Sequence, residues 1–264
     1  MKIIKTPWKK EFLELVSNSK SSIKITSPFL KENICNDIIK VKQTKSKIEL
    51  ITKFNLNNAY RGSLDLSAIE NIINSSGKVS NYSKLHSKIY LFDDKKAVIT
   101  SANLTNGGLL NNYEYGVYLD DKAVISNIVS DFNLISSNEN TGIIKIEHIN
   151  KAREILSNIL ESNQLVIPKV DIDNREEDID IIDAPIEIIK NSLTGWKKEV
   201  FNCLVQIPEQ KFNLNRAYAF ENDLKQKYPS NNNVKDKIRQ ILQDLRDLGL
   251  IEFLGNGEYK KLWR

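Results

Sequence analysis

Residues 85–116 read LHSKIYLFDDKKAVITSANLTNGGLLNNYEYG, and the predicted fold of the chain starts from this stretch. β-forming residues alternate with others around His86, which predicts a strand with His86 and Lys88 on one face. The polar turn at 93–96 and the β-forming run after it predict a second strand at 97–101. This segment is therefore expected to fold as a β-hairpin.

Polar side chains are expected to lie close together at one end of the hairpin. Ser101 and Asn103 should project near His86 and Lys88, and a further strand at Tyr113–Leu119 should carry Glu114. A histidine and a lysine close to hydroxyl, amide and carboxylate groups form a set of residues suited to handling phosphate.

These residues carry a resemblance to a known family. HSKIYLFD at 86–93, followed after six residues by TSAN at 100–103, resembles the HxKx4Dx6GSxN signature of the phospholipase D superfamily. Thr100 stands where the family usually has glycine. The run NLT at 103–105, with Glu114 after it, is similar to the nuclease branch and in particular to its restriction endonucleases.

The resemblance implies a role for each polar residue. His86 would attack phosphorus to form a phosphohistidine, and a second histidine would protonate the leaving oxygen. Lys88 and Asn103 would hold the non-bridging oxygens, with Ser101 helping. Glu114 would hydrogen-bond the imidazole and fix its tautomer.

The remaining motif residue, Asp93, is expected to tether the hairpin rather than touch substrate.

The chain contains one such motif, and its other histidine, His148, lies in a helical-looking stretch and is expected on the surface. Because the reaction needs two histidines, the resemblance implies a homodimer through the catalytic domain, with His86 of both subunits meeting at a two-fold axis. It implies no cofactor and no metal.

Composition supports an ordinary globular protein of 264 residues with 41% hydrophobic and 27% charged residues. No run approaches the ~18 apolar residues of a membrane span, and the first residues lack a signal-peptide core. We therefore expect a cytoplasmic protein with no membrane partner. Cys35 and Cys203 are expected in the core, and no Cys/His cluster has zinc spacing.

The order of elements predicts an α/β fold, a phospholipase D-like mixed sheet flanked by helices, over residues 1–140. Further strands are predicted at 22–26 and 47–52. Gly107-Gly108 is expected to break the chain. The predicted helices are 8–17, 31–41, 66–75, 124–134 and 147–160.

Three basic residues in loops near strand ends are candidate phosphate contacts: Lys53, Arg61 and Lys84. An isolated lysine or arginine is more often a solvated surface charge.

Residues 141–190 are expected to form a helix and an acidic linker. The net charge of +4 conceals the run VDIDNREEDIDIID at 170–183, so the rest of the chain is more basic than the total suggests and nucleic acid is a reasonable partner. The run is either a solvated connector or an internal mimic of DNA phosphates. In the second case Glu176, Glu177 and Asp178 would occupy the basic cleft until substrate binds.

Residues 191–264 are predicted to form a small winged helix-turn-helix domain. Helices at 196–206, 214–228 and 233–248 precede two short β-prone runs separated by Gly255-Asn256-Gly257, a hairpin signal. The segment 228–263 is similar to the C-terminal winged helix of restriction endonucleases of the Dam-replacing type. That resemblance implies reading of double-stranded DNA and, in some members, of adenine methylation.

The third helix is the candidate DNA-reading element. Asn231 or Asn232 is expected to cap it, and its buried stripe is expected at positions 234, 238, 241, 242, 245 and 248. Polar side chains on its outward face could read base edges, and Lys260 and Lys261 in the wing would contact the DNA backbone. The candidate DNA-binding residues are Asn231, Asn232, Asn233, Lys235, Lys237, Arg239, Gln240, Gln243 and Lys260. The alternative is a winged helix used for protein contact.

Together these features predict a metal-independent, dimeric type II restriction endonuclease, which implies a cognate methyltransferase in the same system. A nonspecific nuclease or a lipid phosphodiesterase of the same superfamily is one alternative, although a lipid enzyme has no use for the winged helix. A non-catalytic DNA-binding regulator is another, and the intact catalytic motif argues against it.

Overall fold

The computed structural model describes residues 1–162, Ile182 and residues 185–263. The chain forms two compact units: Met1–Phe54 with Gly62–Ile149, and Asn55–Arg61 with Asn150–Arg264. Each is described by itself. The predicted boundaries at 140 and 190 remain predictions.

A mixed sheet forms the centre of the first unit. Within the described residues it has eight strands in the order β1-β7-β6-β5-β2-β3-β4-β8. β2, β3 and β4 run parallel and the other pairs are antiparallel, which confirms the predicted mixed α/β class. The strands are β1 (Lys2–Lys5), β2 (Ser22–Thr26), β3 (Lys47–Thr52), β4 (Lys78–Tyr82), β5 (Ile89–Phe92), β6 (Lys96–Thr100), β7 (Tyr115–Leu119) and β8 (Thr141–Ile143).

Helices cover both faces of this sheet. Tyr90 of β5 packs edge-on against Trp8 and Phe12 on one face, while Leu91 points to the other and joins a core that includes Phe132. β5 is therefore buried on both sides, which explains its continuous apolar sequence. The helices through residue 162 are α1 (Lys9–Asn18), α2 (Glu32–Val41), α3 (Leu56–Tyr60, part of the second unit), α4 (Leu66–Asn74), α5 (Lys122–Ser136) and α6 (Ile146–Ser162).

The predicted strand around His86 is wrong in its extent. β5 begins at Ile89, so His86 and Lys88 lie in the extended segment before it. The pairing of β5 with β2 ends at Thr26, where Ser27 and Pro28 turn the chain away. The backbone ladder with β2 therefore does not extend to the residues before Ile89. Glu114 likewise lies just before β7, and Ser101 just after β6.

Two local predictions are also wrong. His148 is buried, with 4% of its surface exposed, because its Nδ1 accepts the backbone N–H of Lys145 at 3.2 Å at the start of α6. Gly107-Gly108 does not simply break the chain, since Gly107–Asn111 forms a π-helical turn. Both cysteines are buried, as predicted.

The second unit contains the predicted winged helix-turn-helix. Its three-stranded antiparallel sheet has the order β10-β11-β9. The elements are α7 (Ile186–Ser192), α8 (Gly195–Val205), β9 (Lys211–Asn213), α9 (Leu214–Tyr218), α10 (Glu221–Lys227), α11 (Val234–Asp247), β10 (Ile251–Gly255) and β11 (Glu258–Lys261). The turn between β10 and β11 has positive φ at Gly255, Asn256 and Gly257, as the hairpin signal predicts.

One predicted helix, at 214–228, is instead two. α9 is capped by Asn213, whose Oδ1 accepts the Arg216 N–H at 3.0 Å, and α10 begins after Phe220. Between them, the Phe220 N–H bonds the carbonyl of Ala217 three residues back, so the last turn of α9 tightens rather than continuing.

Much of the acidic run, including Glu176, Glu177 and Asp178, lies outside the described residues. At its end, Ile182 forms a parallel bridge with Trp263. In the described ranges, no helix is long and apolar enough to cross a membrane.

Asp93 fixes the turn of the β5–β6 hairpin. Its carboxylate accepts the N–H groups of Lys20, Ser21 and Ser22 at 2.7–3.0 Å, together with the Ser21 hydroxyl. Burial alone would raise the pKa of Asp93, but these donors outweigh it and lower the pKa to about 2. The contacts are those of a tether, as the sequence predicts.

We expect Asp93→Asn to destabilise the fold by about 1 kcal/mol at pH 7, a figure reduced for the partial exposure of the carboxylate. Because the pKa is lowered on folding from an unfolded value of about 4, the ionised form stabilises the fold above pH ~4. That contribution is lost as the pH falls from about 4 to 2. Urea unfolding of both proteins between pH 7 and pH 2 should show the difference shrinking over this range; a constant difference would contradict the assignment.

Candidate functional site

Three short segments at the end of the β5–β6–β7 strands carry the predicted catalytic side chains. They contain His86 and Lys88, Ser101 and Asn103, and Glu114. Each segment follows or precedes a paired strand, so the sheet sets the position of its backbone. Hydrogen bonds to neighbouring segments hold each one in place.

The His86 segment is anchored to the end of β2. The Ile89 N–H donates to the Thr26 hydroxyl at 3.0 Å, and the Thr26 and Ser87 hydroxyls are hydrogen-bonded at 3.1 Å. The Lys88 ammonium folds back and donates to the His86 carbonyl at 2.7 Å, which leaves Nζ 3.5 Å from His86 Nδ1. His86 itself is exposed, so its imidazole can meet a substrate or a second protein copy.

The electrostatics of Lys88 suit an anion site. Desolvation by burial lowers the pKa of its ammonium, and the negative charge of Glu114 opposes that shift. A partly desolvated ammonium has lost part of its water shell, so it interacts more strongly with a phosphoryl oxygen than a surface lysine does.

Asn103 is fixed from both sides. The Tyr90 hydroxyl donates to the carbonyl of Ala102 at 2.8 Å, and the Leu104 N–H donates to the Ser27 hydroxyl at 2.9 Å. Gly108 closes over the segment: a Cβ there would lie 2.7 Å from Asn103 N and nearer still to its carbonyl oxygen. The backbone of Asn103 is therefore held before any substrate arrives.

Glu114 takes partners other than the predicted imidazole. Its carboxylate accepts the Ser101 hydroxyl and the Asn112 amide, the latter at 3.3 Å. Thr6 holds this segment, since its hydroxyl donates to the Asn112 carbonyl and accepts the Glu114 N–H at 2.9 Å. Glu114 is thus connected to Ser101, and its charge acts on Lys88.

Asp93 stands apart from this group. It follows β5, whereas His86 and Lys88 precede it, so a four-residue strand of roughly 13 Å separates them. The structure brings the histidine, lysine, serine, asparagine and glutamate to one end of the sheet and leaves Asp93 at the other.

Sequence reasoning missed three residues that hold the site: Thr6, Ser27 and Tyr90. Ser27 belongs to the Ser-Pro-Phe turn after β2, and this short sequence could have identified Ser27 as a residue that holds the site. Tyr90 looks like one more β-forming residue in a buried strand, and Thr6 lies about 80 residues before His86 in sequence. No local pattern reveals either contact.

Comparison with known families agrees with this geometry. Residues 12–135 match a family model described as a cardiolipin synthase, PLD-like domain, and residues 192–261 match the Dam-replacing HTH domain. The chain is therefore similar to a phospholipase D-like domain in its first part and to a Dam-replacing helix-turn-helix domain near its end.

Individual relatives of the chain are distant. The DISARM protein DrmC of Bacillus paralicheniformis is 39% identical over 44 residues, which span 17% of this chain and only 18% of that protein. Nuc of Salmonella typhimurium, a phospholipase D family member, is 16% identical over 51% of this chain and 91% of its own, with a TM-score of 0.45. NucT of Helicobacter pylori is 21% identical over 51% and 93%, with a TM-score of 0.43.

The helix-turn-helix domain exposes a polar face on α11. All six predicted apolar positions are buried, which confirms the stripe. On the opposite face Lys237 is half-buried, and four predicted DNA-binding side chains are exposed: Lys235, Arg239, Gln240 and Gln243. Lys235 is 3.3 Å from Glu221, and Lys237 donates to Gln240 at 2.9 Å.

The predicted cap of α11 is wrong by one or two residues. Asn233 occupies the N-cap position and its side chain makes no capping bond, while Asn231 Oδ1 accepts the Asn233 N–H at 2.8 Å. Asn232 is exposed, and its Oδ1 accepts the Lys225 ammonium at 3.3 Å. These three asparagines thus form the turn that leads into the helix.

The two wing lysines differ in burial and in the side of β11 on which they lie. Lys261 is buried, and its ammonium donates to the Ile207 carbonyl at 2.6 Å, which makes the predicted backbone contact wrong. Burial lowers the pKa of Lys261. Lys260, one residue earlier on β11, points to the opposite side and is half-buried.

A cleft of about 740 Å³ adjoins the group of predicted catalytic residues. Asn103 and Asn112 contribute to its wall, so the cleft begins where the phosphate is expected to bind. Five of the ten polar residues that line it are asparagines. The lining residues are Phe29, Lys31, Glu32, Asn33, Asn36, Ser63, Asp65, Asn103, Thr105, Asn106, Gly107 and Asn112.

We expect Gly108→Ala to displace the Asn103 segment, because the added Cβ meets backbone rather than a flexible side chain. The variant should lose about 1–3 kcal/mol of stability and most of any phosphodiesterase activity. Gly107→Ala is the control: its Cβ would meet only side-chain atoms at 3.3–3.4 Å, so the cost should be smaller. Thermal unfolding and hydrolysis assays on both variants check this, and equal losses would contradict it.

Proposed function

We propose that this protein is a metal-independent, site-specific DNA endonuclease of the type II restriction class. The observation that carries the proposal is the fixed group of His86, Lys88 and Asn103 in a chain that also contains a Dam-replacing helix-turn-helix domain. The first supplies phosphodiester chemistry and the second supplies DNA recognition.

In the proposed mechanism a ring nitrogen of His86 attacks phosphorus. A P–N bond forms while the P–O bond to the leaving nucleotide breaks, and a second imidazolium gives its proton to the leaving oxygen. Water then attacks phosphorus and passes a proton to that second imidazole. The P–N bond breaks, its electron pair returns to His86, and both histidines are restored.

Lys88 and Asn103 would stabilise the charge that develops on the phosphoryl oxygens. The ammonium and the amide would donate to the non-bridging oxygens; the ammonium is held at the His86 carbonyl, and the backbone that carries the amide is fixed by the Leu104–Ser27 hydrogen bond. The Ser101 hydroxyl donates to Glu114 and accepts the Tyr115 N–H, so Ser101 would act by positioning that carboxylate. Glu114 would also keep Lys88 charged, since its negative charge raises the lysine pKa against the effect of burial.

The second histidine comes from a second copy of the chain. The chain contains two histidines, and His148 is buried, with its Nδ1 accepting a backbone N–H. It is therefore unsuited to donate a proton to a bound substrate. A homodimer with both His86 side chains at the two-fold axis supplies the missing acid.

An exposed apolar row on the sheet offers a surface for this dimer. Ile3, Val117 and Ile99 are directly paired across β1, β7 and β6, and two of them are unusually exposed, Ile3 at 49% and Ile99 at 38%. Ile99 lies two residues before Ser101, and Val117 lies three residues after Glu114. A second copy bound here would cover the apolar side chains and adjoin the catalytic segments.

DNA recognition is assigned to α11 and the wing. The arginine and glutamines of α11 match the side chains that pair with guanine and adenine edges in the major groove. The Dam-replacing character of this domain and the short match to a DISARM protein support a place in a restriction-modification system. A cognate methyltransferase is then the expected partner gene product.

The proposal predicts cleavage of plasmid DNA into discrete fragments in excess EDTA. His86→Ala should abolish cleavage, and Lys88→Ala should reduce it at least about 100-fold because a fixed charge is lost from the transition state. Lys95→Ala, in the exposed turn at the far end of the hairpin, should cleave normally. Unmethylated and adenine-methylated plasmids are compared by gel electrophoresis.

A smear of random fragments would favour a nonspecific nuclease, and tight binding of DNA without cleavage would favour a regulator. Dependence of wild-type cleavage on added metal would contradict the proposed chemistry.

The dimer has its own test. Ile99→Asp should shift the protein from dimer to monomer in sedimentation equilibrium and abolish cleavage, because a charge would enter an apolar interface. Leu134→Asp, an equally apolar position on α5 that is 67% exposed, is the matched control and should remain dimeric. An Ile99→Asp protein that stays dimeric and active would reject this surface.

A further inference from the structure

The asparagine-lined cleft beside Asn103 has no role in the mechanism described above. Its volume of about 740 Å³ lies within the range of small-ligand sites and exceeds what a phosphate group requires. Neither His86 nor Lys88 lines it. It therefore extends away from the phosphate position toward α2 and the π-helical turn.

Two asparagines that line the cleft carry amide oxygens without a hydrogen-bond donor. Asn103 Oδ1 and Asn106 Oδ1 are buried and have no partner among the described residues. A buried acceptor without a donor costs about as much free energy as a lost hydrogen bond. A ligand with N–H groups would remove that cost, whereas a phosphate oxygen would not.

The charges in the cleft also argue against a second phosphate. The Lys31 ammonium is paired with Asp65 at 2.9 Å, so it is already neutralised. Glu32 lies in the same wall, where its carboxylate accepts the Ser67 hydroxyl at 2.8 Å. The wall thus contains two carboxylates and one lysine, a balance that repels an anion and attracts the amino edge of a nucleobase.

The cleft contains one aromatic ring beside its polar groups. Phe29 follows the Ser27 turn, and Ser27 accepts from Leu104, next to Asn103. A ring in this place offers an apolar surface for a base, while the amides offer hydrogen bonds. A nucleoside joined to a phosphate at Asn103 would therefore find groups suited to its base.

We propose that the cleft binds the nucleoside adjacent to the scissile phosphate, with an amino group of its base donating to Asn106. The inference rests on the proposed phosphodiesterase function, which defines where that phosphate lies. In duplex DNA the base must leave the stack to enter the cleft, as enzymes that act on single bases require. The catalytic domain would then add base selection of its own to that of α11.

Direct binding tests the cleft without catalysis. Deoxyadenosine and deoxycytidine monophosphates, which have exocyclic amino groups, should bind the full-length protein about 5- to 10-fold more tightly than thymidine monophosphate, the effect of one buried hydrogen bond. Asn106→Ala should remove this difference. Asn111→Ala is the matched control, an exposed asparagine of the same turn that does not line the cleft.

Calorimetry on the three nucleotides, with thermal unfolding to verify that both variants are folded, provides the measurement. Equal affinities for all nucleotides, or a base preference that survives Asn106→Ala, would overturn the proposal. Selective loss in Asn106→Ala but not in Asn111→Ala supports it. Should Asn106→Ala fail to fold, Asn106→Asp replaces it: a carboxylate also accepts, so the amino preference should persist.

Hydrolysis separates this proposal from the proposed function. Deoxyadenosine 5′-(p-nitrophenyl phosphate) should have a higher kcat/KM than bis(p-nitrophenyl) phosphate, and Asn106→Ala should bring the two values together. His86-dependent hydrolysis without nucleoside preference would overturn the subsite and leave the nuclease intact. Base-selective nucleotide binding with no hydrolysis of any substrate would overturn the nuclease and leave the subsite.

Discussion

Strand β5 is paired on both edges and buried on both faces, and the candidate catalytic residues take their positions from it. Tyr90 and Leu91 are fully buried on opposite sides of the sheet, so the strand cannot slip by one residue without exposing one set of side chains. The point where its ladder with β2 ends, at Thr26, is where His86 and Lys88 leave the sheet. Its other end is held by Asp93.

The same strand also organises Asn103. Tyr90 passes through the core with its ring against Trp8 and Phe12, and its hydroxyl emerges at the Ala102 carbonyl. Burial raises the pKa of this hydroxyl, so it remains a donor at any physiological pH. One side chain thus joins the aromatic core to the catalytic loop, and core packing and site geometry depend on the same contact.

Sequence predicted the hairpin, strands β2 and β3, most of the longer helices and the apolar stripe of α11, because each follows from local periodicity. It could not predict where strands end, since the end of β5 depends on a turn about 60 residues earlier at Ser27. Nor could it separate Lys260 from Lys261, because two adjacent lysines look alike until the pairing of β11 fixes which one faces the core. The prediction that His148 lies on the surface is wrong for a related reason: a lone histidine in an amphipathic helix gives no sign that its ring will accept a backbone N–H.

The number of histidines favours a site built from two copies of the chain, and the charge around the phosphate favours it as well. Within one chain, Lys88 is the lysine next to the imidazole, and the nearby carboxylate of Glu114 offsets part of its field. A phosphoryl group in its transition state spreads negative charge over its equatorial oxygens, which a single partly offset ammonium would balance poorly. In the proposed dimer, two-fold symmetry would bring two ammonium groups and two Asn103 amides to the same phosphate. The second copy would then supply electrostatic stabilisation together with the acid, which is how a chain with one motif could work without a metal ion.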